Sequence, residues 1–303
     1  MGKILVCDSI AQEAVEMLKS SGHTLLYEPK ITPEELLQRV VDVDAVIVRS
    51  RTHVTKEVVN AGVRLKVIAR AGVGLDNVDT EAAKARGIQV INSPDSLTNA
   101  VAEHALALFL NVARQISYAN RRMIEGEWPK SALMGEELTG KTMGIVGFGR
   151  IGRRLAQLCR PFNMTILAYD VIPPPEELIK TTGAKMVSLD ELLKASDFIS
   201  IHVPATPETE KMIGERELSI MKPNAIIVNT SRGNVIDEPT LVAYLKSHKI
   251  KGAGLDVFAE EPPKGEILTL DNIVLTPHIA GQTLEAQTSA GTSVAKRVLE
   301  LLS

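Results

Sequence analysis

The run Thr142-Met143-Gly144-Ile145-Val146-Gly147-Phe148-Gly149-Arg150-Ile151-Gly152 restricts the fold of this chain more than any other stretch. A short apolar strand leads straight into glycines spaced G-x-G-x-x-G and then into a helical segment, an arrangement that cradles a phosphate. Gly147 permits the tight turn and Gly149 lets backbone approach a pyrophosphate. Gly152 lets the new helix pack on the strand while its free N–H groups face the anion. Spacing alone is a weak signal, but here its context is complete. A helix is predicted over 153–160, and a second strand over 165–169 ends on Asp170, 18 residues beyond Gly152. An acid at that place takes the hydroxyls of an adenosine ribose, so the stretch reads as a dinucleotide site rather than a glycine-rich βαβ turn.

The 303 residues suffice for two domains of ordinary size, and 45% hydrophobic residues supply real cores. A net charge of −3 from 34 basic and 37 acidic side chains gives no electrostatic case for nucleic acid or an anionic membrane as partner. Cys7 and Cys159 are too few and too scattered for a disulfide framework or a zinc site, so no metal is expected and a reducing, cytoplasmic setting fits. The N-terminus enters a strand at once, with no apolar signal core and no apolar run long enough to span a bilayer.

Strand and helix patterns alternate from the start. Strands are predicted over 3–8, 23–26, 45–48, 66–69 and 88–91, with helices over 11–20, 33–40, 56–61 and 79–86 between them. That alternation predicts a doubly wound parallel α/β sheet without a dinucleotide fingerprint of its own. Its one glycine pair, Ala71-Gly72-Val73-Gly74-Leu75-Asp76, lacks the third glycine and reads as a loop at a strand end. A long apolar helix from Asn99 to about Arg121 is expected to bridge this lobe to the glycine-motif half. Further strands are predicted over 198–203, 225–229, 254–257 and 273–276, and a final helix over 284–302 is expected to return to the first lobe.

Ligands of open α/β sheets bind beyond the carboxyl ends of the strands, which makes the residues just past each strand of the second lobe the candidates for chemistry. Arg232 stands past one strand, Glu261 past another and His278 past a third. An arginine can hold a carboxylate in a fork and polarise the neighbouring carbonyl, and an imidazole can take or return a hydroxyl proton. A carboxylate can orient that imidazole and stabilise its charged form. Together they suit hydride transfer to and from an α-hydroxy acid. His202 precedes Val203-Pro204 and reads as scaffold under the cofactor, and His104, among apolar helix neighbours, reads as a satisfied buried group.

With these residues in place, the chain resembles the D-isomer-specific 2-hydroxyacid dehydrogenase family, and within it the D-3-phosphoglycerate dehydrogenase branch. The resemblance runs over essentially the whole chain. It is carried by Ala71–Asp79 (AGVGLDNVD), Gly147–Gly152 (GFGRIG), His202–Pro204 (HVP), Asn229–Gly233 (NTSRG), Leu255–Phe258 (LDVF) through Glu261-Pro262, and Pro277–Gly281 (PHIAG). It implies that Arg232, Glu261 and His278 are the catalytic trio. It also implies cofactor contacts at Arg150, Ile151, Asp170, Val203, Pro204, Thr230, Asp256 and Gly281 beside the three motif glycines, with Val73 and Gly74 near the substrate. The implied architecture is a Rossmann NAD-binding domain, 98–281, inserted into a flavodoxin-like substrate domain made of 1–97 and 282–303, the two lobes closing on substrate. Family members commonly pair through the nucleotide domain, which implies a homodimer. The chain stops at Ser303 without the C-terminal regulatory domain of many phosphoglycerate dehydrogenases, so feedback by serine of that kind is not expected. Related corepressors use the same fold to bind partner peptides, which makes an NAD-sensing interaction protein the alternative from another class.

Two expectations concern specificity. Asp170 is followed by Val-Ile-Pro-Pro-Pro, with no arginine to receive a 2′-phosphate, which favours NAD over NADP. Arg49-Ser50-Arg51-Thr52-His53 comes after the strand over 45–48, and in extended chain its alternate residues share a face. Arg49 or Arg51 would then meet the phosphate of 3-phosphoglycerate while Arg232 holds the carboxylate, giving 3-phosphohydroxypyruvate as product in the first step of serine biosynthesis. Glyoxylate or hydroxypyruvate reduction is the competing reading, and Lys130 is a further basic group without an assigned place.

Overall fold

Twelve short strands, most of them apolar runs rich in Val, Ile and Leu, all pair in parallel within two separate sheets. The computed structural model describes residues 1–303, which divide into two units, Met1–Thr98 with Gly281–Ser303, and Asn99–Ala280.

The first unit carries β1 (Lys3–Val6), β2 (Thr24–Tyr27), β3 (Ala45–Val48), β4 (Val67–Arg70) and β5 (Gln89–Asn92) in the order β2-β1-β3-β4-β5. Its connecting helices are α1 (Gln12–Lys19), α2 (Pro33–Arg39), α3 (Lys56–Ala61) and α4 (Thr80–Ala85). Local chemistry sets their starts. Thr32 and Glu35 form a reciprocal capping box with Pro33 as first helical residue, and Thr55 and Asp79 cap α3 and α4. Alternate strand residues divide between two cores, as a pleated strand requires. Leu5, Val46, Val48 and Ile68 face one side, while Ile4, Val6, Ala45 and Ile47 face the other. The chain reverses direction across the sheet between β1 and β3, where open α/β sheets bind ligands.

The second unit contains α5 (Thr98–Arg114), apart from its first residue, and α6 (Ile116–Ile124), then β6 (Thr142–Val146), α7 (Arg150–Cys159), β7 (Thr165–Tyr169), α8 (Glu176–Thr182), β8 (Lys185–Met186) and α9 (Leu189–Ala195). It continues with β9 (Phe198–Ile201), α10 (Glu215–Ser219), β10 (Ile226–Asn229), α11 (Glu238–Lys246), β11 (Gly252–Leu255) and β12 (Ile273–Leu275). Strand order is β12-β11-β10-β9-β6-β7-β8, so the crossover point lies between β6 and β9, at the mouth of the glycine motif. Helix α5 packs on this sheet, with Phe109 edge-on to Phe198 at 5.6 Å between ring centroids.

The final helix α12 (Leu284–Leu302) joins the first unit, burying Val294, Ala295 and Val298 among Ile4, Val6 and Leu18. The single helix expected over 99–121 is two. Gln115 turns left-handed (φ 54°), and the side chain of Asn111 takes the freed Ser117 amide at 2.8 Å, so α6 leaves in a new direction and buries none of its residues. The elements α8, β8, α9, α10 and α11 lie in stretches where the sequence pattern predicts no element. Both cysteines are buried, and burial pushes the Cys159 thiol up to about 12 and that of Cys7 still higher. No three His, Cys, Asp or Glu side chains are grouped to hold a metal, and no helix is long and apolar enough to cross a membrane.

Candidate active site

The glycine loop is built by close packing. Gly147 has φ +90°, and a side chain there would meet the His202 carbonyl at 2.7 Å; one at Gly152 would meet the Gly147 carbonyl at 2.3 Å. Phe148 between them is fully buried, and Arg153 donates to the Phe148 carbonyl at 3.0 Å, closing the turn. Gly149 differs. A Cβ there would meet nothing within 4 Å, so packing does not ask for glycine, whereas close approach of a phosphate does. Gly149 also caps α7 without a side-chain bond, so the first turn of that helix presents backbone N–H groups of a kind that suits an anion.

Asp170 joins two segments of backbone. One oxygen accepts from Phe148 N at 2.7 Å and the other from Ile172 N at 3.1 Å, so the carboxylate ties the glycine loop to the end of β7. Each oxygen keeps a lone pair for a ribose hydroxyl. Val203 is half-buried and Pro204 exposed past β9, and the Thr230 hydroxyl past β10 is buried with no hydrogen-bond partner. A buried hydroxyl of that kind suits a polar ligand group. These features fit a dinucleotide.

Glu261 and His278, expected as a pair, are in contact. His278 Nδ1 donates to Glu261 Oε2 at 2.9 Å, with Oε1 at 3.2 Å, which fixes the tautomer and leaves Nε2 with its lone pair outward. His278 sits in a left-handed conformation (φ 54°), uncommon for a non-glycine residue. Glu261 Oε1 also accepts from Phe258 N at 3.3 Å. Arg232 donates to the Ser231 carbonyl at 2.7 Å, and Asn229 braces its loop by accepting from Ser231 and donating to the Arg232 carbonyl at 2.9 Å. Gly233 explains how the loops meet. A Cβ there would lie 1.9 Å from the Phe258 carbonyl, so only glycine allows the arginine-bearing turn to lie against the chain leading to Glu261. The sequence signal for Asn229 and Gly233 is present in Asn-Thr-Ser-Arg-Gly, but their roles depend on which loops touch.

Gly281, Val73, Gly74, Arg49, Ser50 and Arg51 belong to the first unit. Gly281 has a packing reason of its own, since a Cβ would meet Leu97 at 2.3 Å. Asn92 holds the Val73 carbonyl at 2.6 Å, shaping the loop that contains Gly74. The alternate-face argument for Arg49 and Arg51 fails on geometry. The strand ends at Val48, and the chain bends around the buried carboxylate of Asp8, which accepts from Arg49 N and Thr52 N and from the Thr52 hydroxyl. Arg51 is spent on this bend, with its guanidinium on Asp8 at 3.0 Å and on the carbonyls of Cys7, Pro29 and Ile31. Arg49, half-buried, donates to the Ser9 carbonyl at 3.1 Å and to Gln282 at 3.2 Å, and Ser50 is exposed beside it. Lys130 lies exposed in a 3-10 turn of the second unit.

Residues 106–280 match the profile of the D-isomer specific 2-hydroxyacid dehydrogenase, NAD binding domain. The chain belongs to that family. It is 45% identical, over its full length, to the D-3-phosphoglycerate dehydrogenase of Methanocaldococcus jannaschii, of which it spans 58%. Identity is 43% to the hydroxypyruvate reductase of Thermotoga maritima, across 99% of this chain and 98% of that one. The D-lactate dehydrogenase of Aquifex aeolicus, solved with NAD and lactic acid, superposes with a TM-score of 0.85 at 31% identity, covering 99% of this chain and 95% of its own. The second unit therefore corresponds to the NAD-binding domain of that family, and the loop built on Gly147, Gly149 and Gly152 lies within the matched residues.

Proposed function

We propose that the protein oxidises a D-2-hydroxy acid to the 2-keto acid, and runs the reverse reduction, with NAD. One observation carries this reading: the Glu261–His278 pair at 2.9 Å stands at the strand carboxyl ends of the same sheet that opens on the phosphate cradle. The cofactor, when bound, supplies the acceptor for the hydride on C2. His278 Nε2 takes the hydroxyl proton as the carbonyl forms, and Glu261 balances the imidazolium that results. Arg232 holds the carboxylate and the developing carbonyl oxygen.

The substrate we favour is 3-phosphoglycerate, giving 3-phosphohydroxypyruvate and thus opening serine biosynthesis. Arg49 stands at the crossover of the first unit's sheet and has bonded only two of its five N–H groups to protein, so it is the phosphate ligand of choice. Arg51 serves by holding the bend on which Arg49 sits, while Val73 and Gly74 supply backbone N–H groups. The competing reading, reduction of hydroxypyruvate or glyoxylate, gains from Arg51 being consumed internally. Comparing kcat/KM for 3-phosphoglycerate and D-glycerate decides between them: a preference for the phosphorylated acid supports the first, and equal use removes it.

The partner we propose is a second copy of the chain, paired through the NAD-binding domain. Helix α6 buries nothing, and Ile116, Met123, Ile124, Trp128 and Met134 are exposed along it and the segment after it. Neither nucleic acid nor membrane is proposed as a partner.

A further inference from the structure

Asp256, one residue past β11, is fully buried, and its carboxylate gathers groups from both sides of His278. One oxygen accepts the Thr276 hydroxyl at 2.6 Å and Ile279 N at 2.8 Å; the other accepts Ala280 N at 2.8 Å. The turn is completed by His278 N on the Thr276 carbonyl at 3.0 Å. A single carboxylate thus clamps the turn that holds His278 in its left-handed conformation. Burial pushes the Asp256 carboxyl upward, but hydrogen bonds from His104, Thr276, Ile279 and Ala280 outweigh this and hold it below the usual range, so it is ionised.

The remaining member comes from elsewhere in the chain. His104 Nε2, on α5, lies 3.0 Å from the Thr276 hydroxyl and 3.5 Å from Asp256. That hydroxyl already gives its proton to Asp256, so it accepts from His104, whose Nε2 carries the hydrogen. His104 is half-buried and makes no other side-chain bond in the structure.

We propose that His104 is a positioning residue, acting through Thr276 and Asp256 to hold the Pro277–Ala280 turn and so to aim the His278 imidazole. The inference rests on His278 being the proton carrier, but it makes a claim about the turn that stands apart from activity. Without the His104 donor, Thr276 keeps its bond to Asp256 but loses its anchor to α5, and the turn gains freedom.

The test compares His104→Ala with His104→Gln, whose amide offers an N–H from the same helix position. Amide hydrogen exchange, followed by NMR on the protein without added ligands, should be about tenfold faster or more at Ile279 and Ala280 in the alanine variant. It should return toward wild type in the glutamine variant, with amides of β6 and β9 unchanged in both. In turnover, kcat should fall between about 10- and 100-fold in the alanine variant, with KM for NAD little altered, and recover in the glutamine variant. If the alanine variant does not fold, Thr276→Val removes the His104 link together with the Thr276–Asp256 bond and should speed exchange at Ile279 and Ala280 by at least as much. Unchanged exchange at Ile279 and Ala280, or acceleration spread evenly over the unit, overturns the proposal. Retained turnover in His278→Ala would instead overturn the functional reading while leaving the exchange result to decide the role of His104.

Discussion

The imidazole of His202 makes the stability of the fold depend on pH, to an extent set by its surroundings. The residue comes directly after β9, under the glycine loop; its N donates to the Val146 carbonyl at 2.7 Å, and its Nε2 is 2.9 Å from the Ser200 hydroxyl. Nδ1 is sealed with no partner, although the residue as a whole is half-buried. Burial disfavours the charged ring and lowers its pKa from 6.5 to about 4. Between those values the unfolded chain binds a proton that the folded chain does not, so stability is full above 6.5 and is lost as pH falls toward 4. Going from pH 7 to pH 5 should therefore remove about 2 kcal/mol, and the loss levels off near about 3 kcal/mol below pH 4. Urea unfolding of the wild type and of His202→Gln at both pH values measures this, the glutamine keeping a polar partner for Ser200 but no titration. The wild type should lose about 2 kcal/mol more than the variant over that window. Equal pH dependence in the two proteins, or a His202 ring titration with its midpoint near 6.5, would refute the reasoning.

Replacing Asp170 by Ser removes the charge proposed to face the ribose 2′ position, together with its bond from Phe148 N in the glycine loop and its bond from Ile172 N. NAD use should fall while the kcat/KM ratio of NADP to NAD rises at least about tenfold, and an unchanged ratio would remove Asp170 from cofactor selection. The two arginines past β3 should separate cleanly. Arg49→Ala should cost about 10–150-fold on 3-phosphoglycerate and little on D-glycerate, whereas Arg51→Ala should cost about 2 kcal/mol of stability and lower both activities alike. The reverse pattern would mean that Arg51 is the phosphate ligand despite its bonds to Asp8 and three carbonyls. Ile124→Glu combined with Trp128→Ser should turn a dimer into a monomer by light scattering, and an unchanged mass would place the interface elsewhere.

Much of the fold was legible because its signals are local. Short apolar runs marked most of the strands, Pro33 and Asp79 marked helix starts, and G-x-G-x-x-G marked the crossover of the second sheet. The features that escaped depend on contacts remote in sequence. The break at Gln115 is set by the Asn111 side chain taking the Ser117 amide, and no periodicity announces it. Arg49 and Arg51 flank the same Ser50, and only the course of the chain around Asp8 tells the scaffold residue from the candidate ligand. His104 looked like a satisfied core histidine because Thr276 and Asp256, which give it meaning, stand more than 150 residues away. The Glu261–His278 pairing was readable from chemistry at strand ends, yet its aim depends on a left-handed turn that Pro-His-Ile-Ala does not spell out.

The most direct measurement is NAD reduction by the purified chain offered matched D- and L-2-hydroxy acids, run beside His278→Ala. Turnover should be confined to D-acids in the wild type and should fall by roughly 100-fold or more in the variant. NAD affinity should stay nearly intact in the variant. Inactivity of the wild type across the D-acid panel, with NAD still bound, would contradict the proposed activity and leave an NAD-sensing interaction protein.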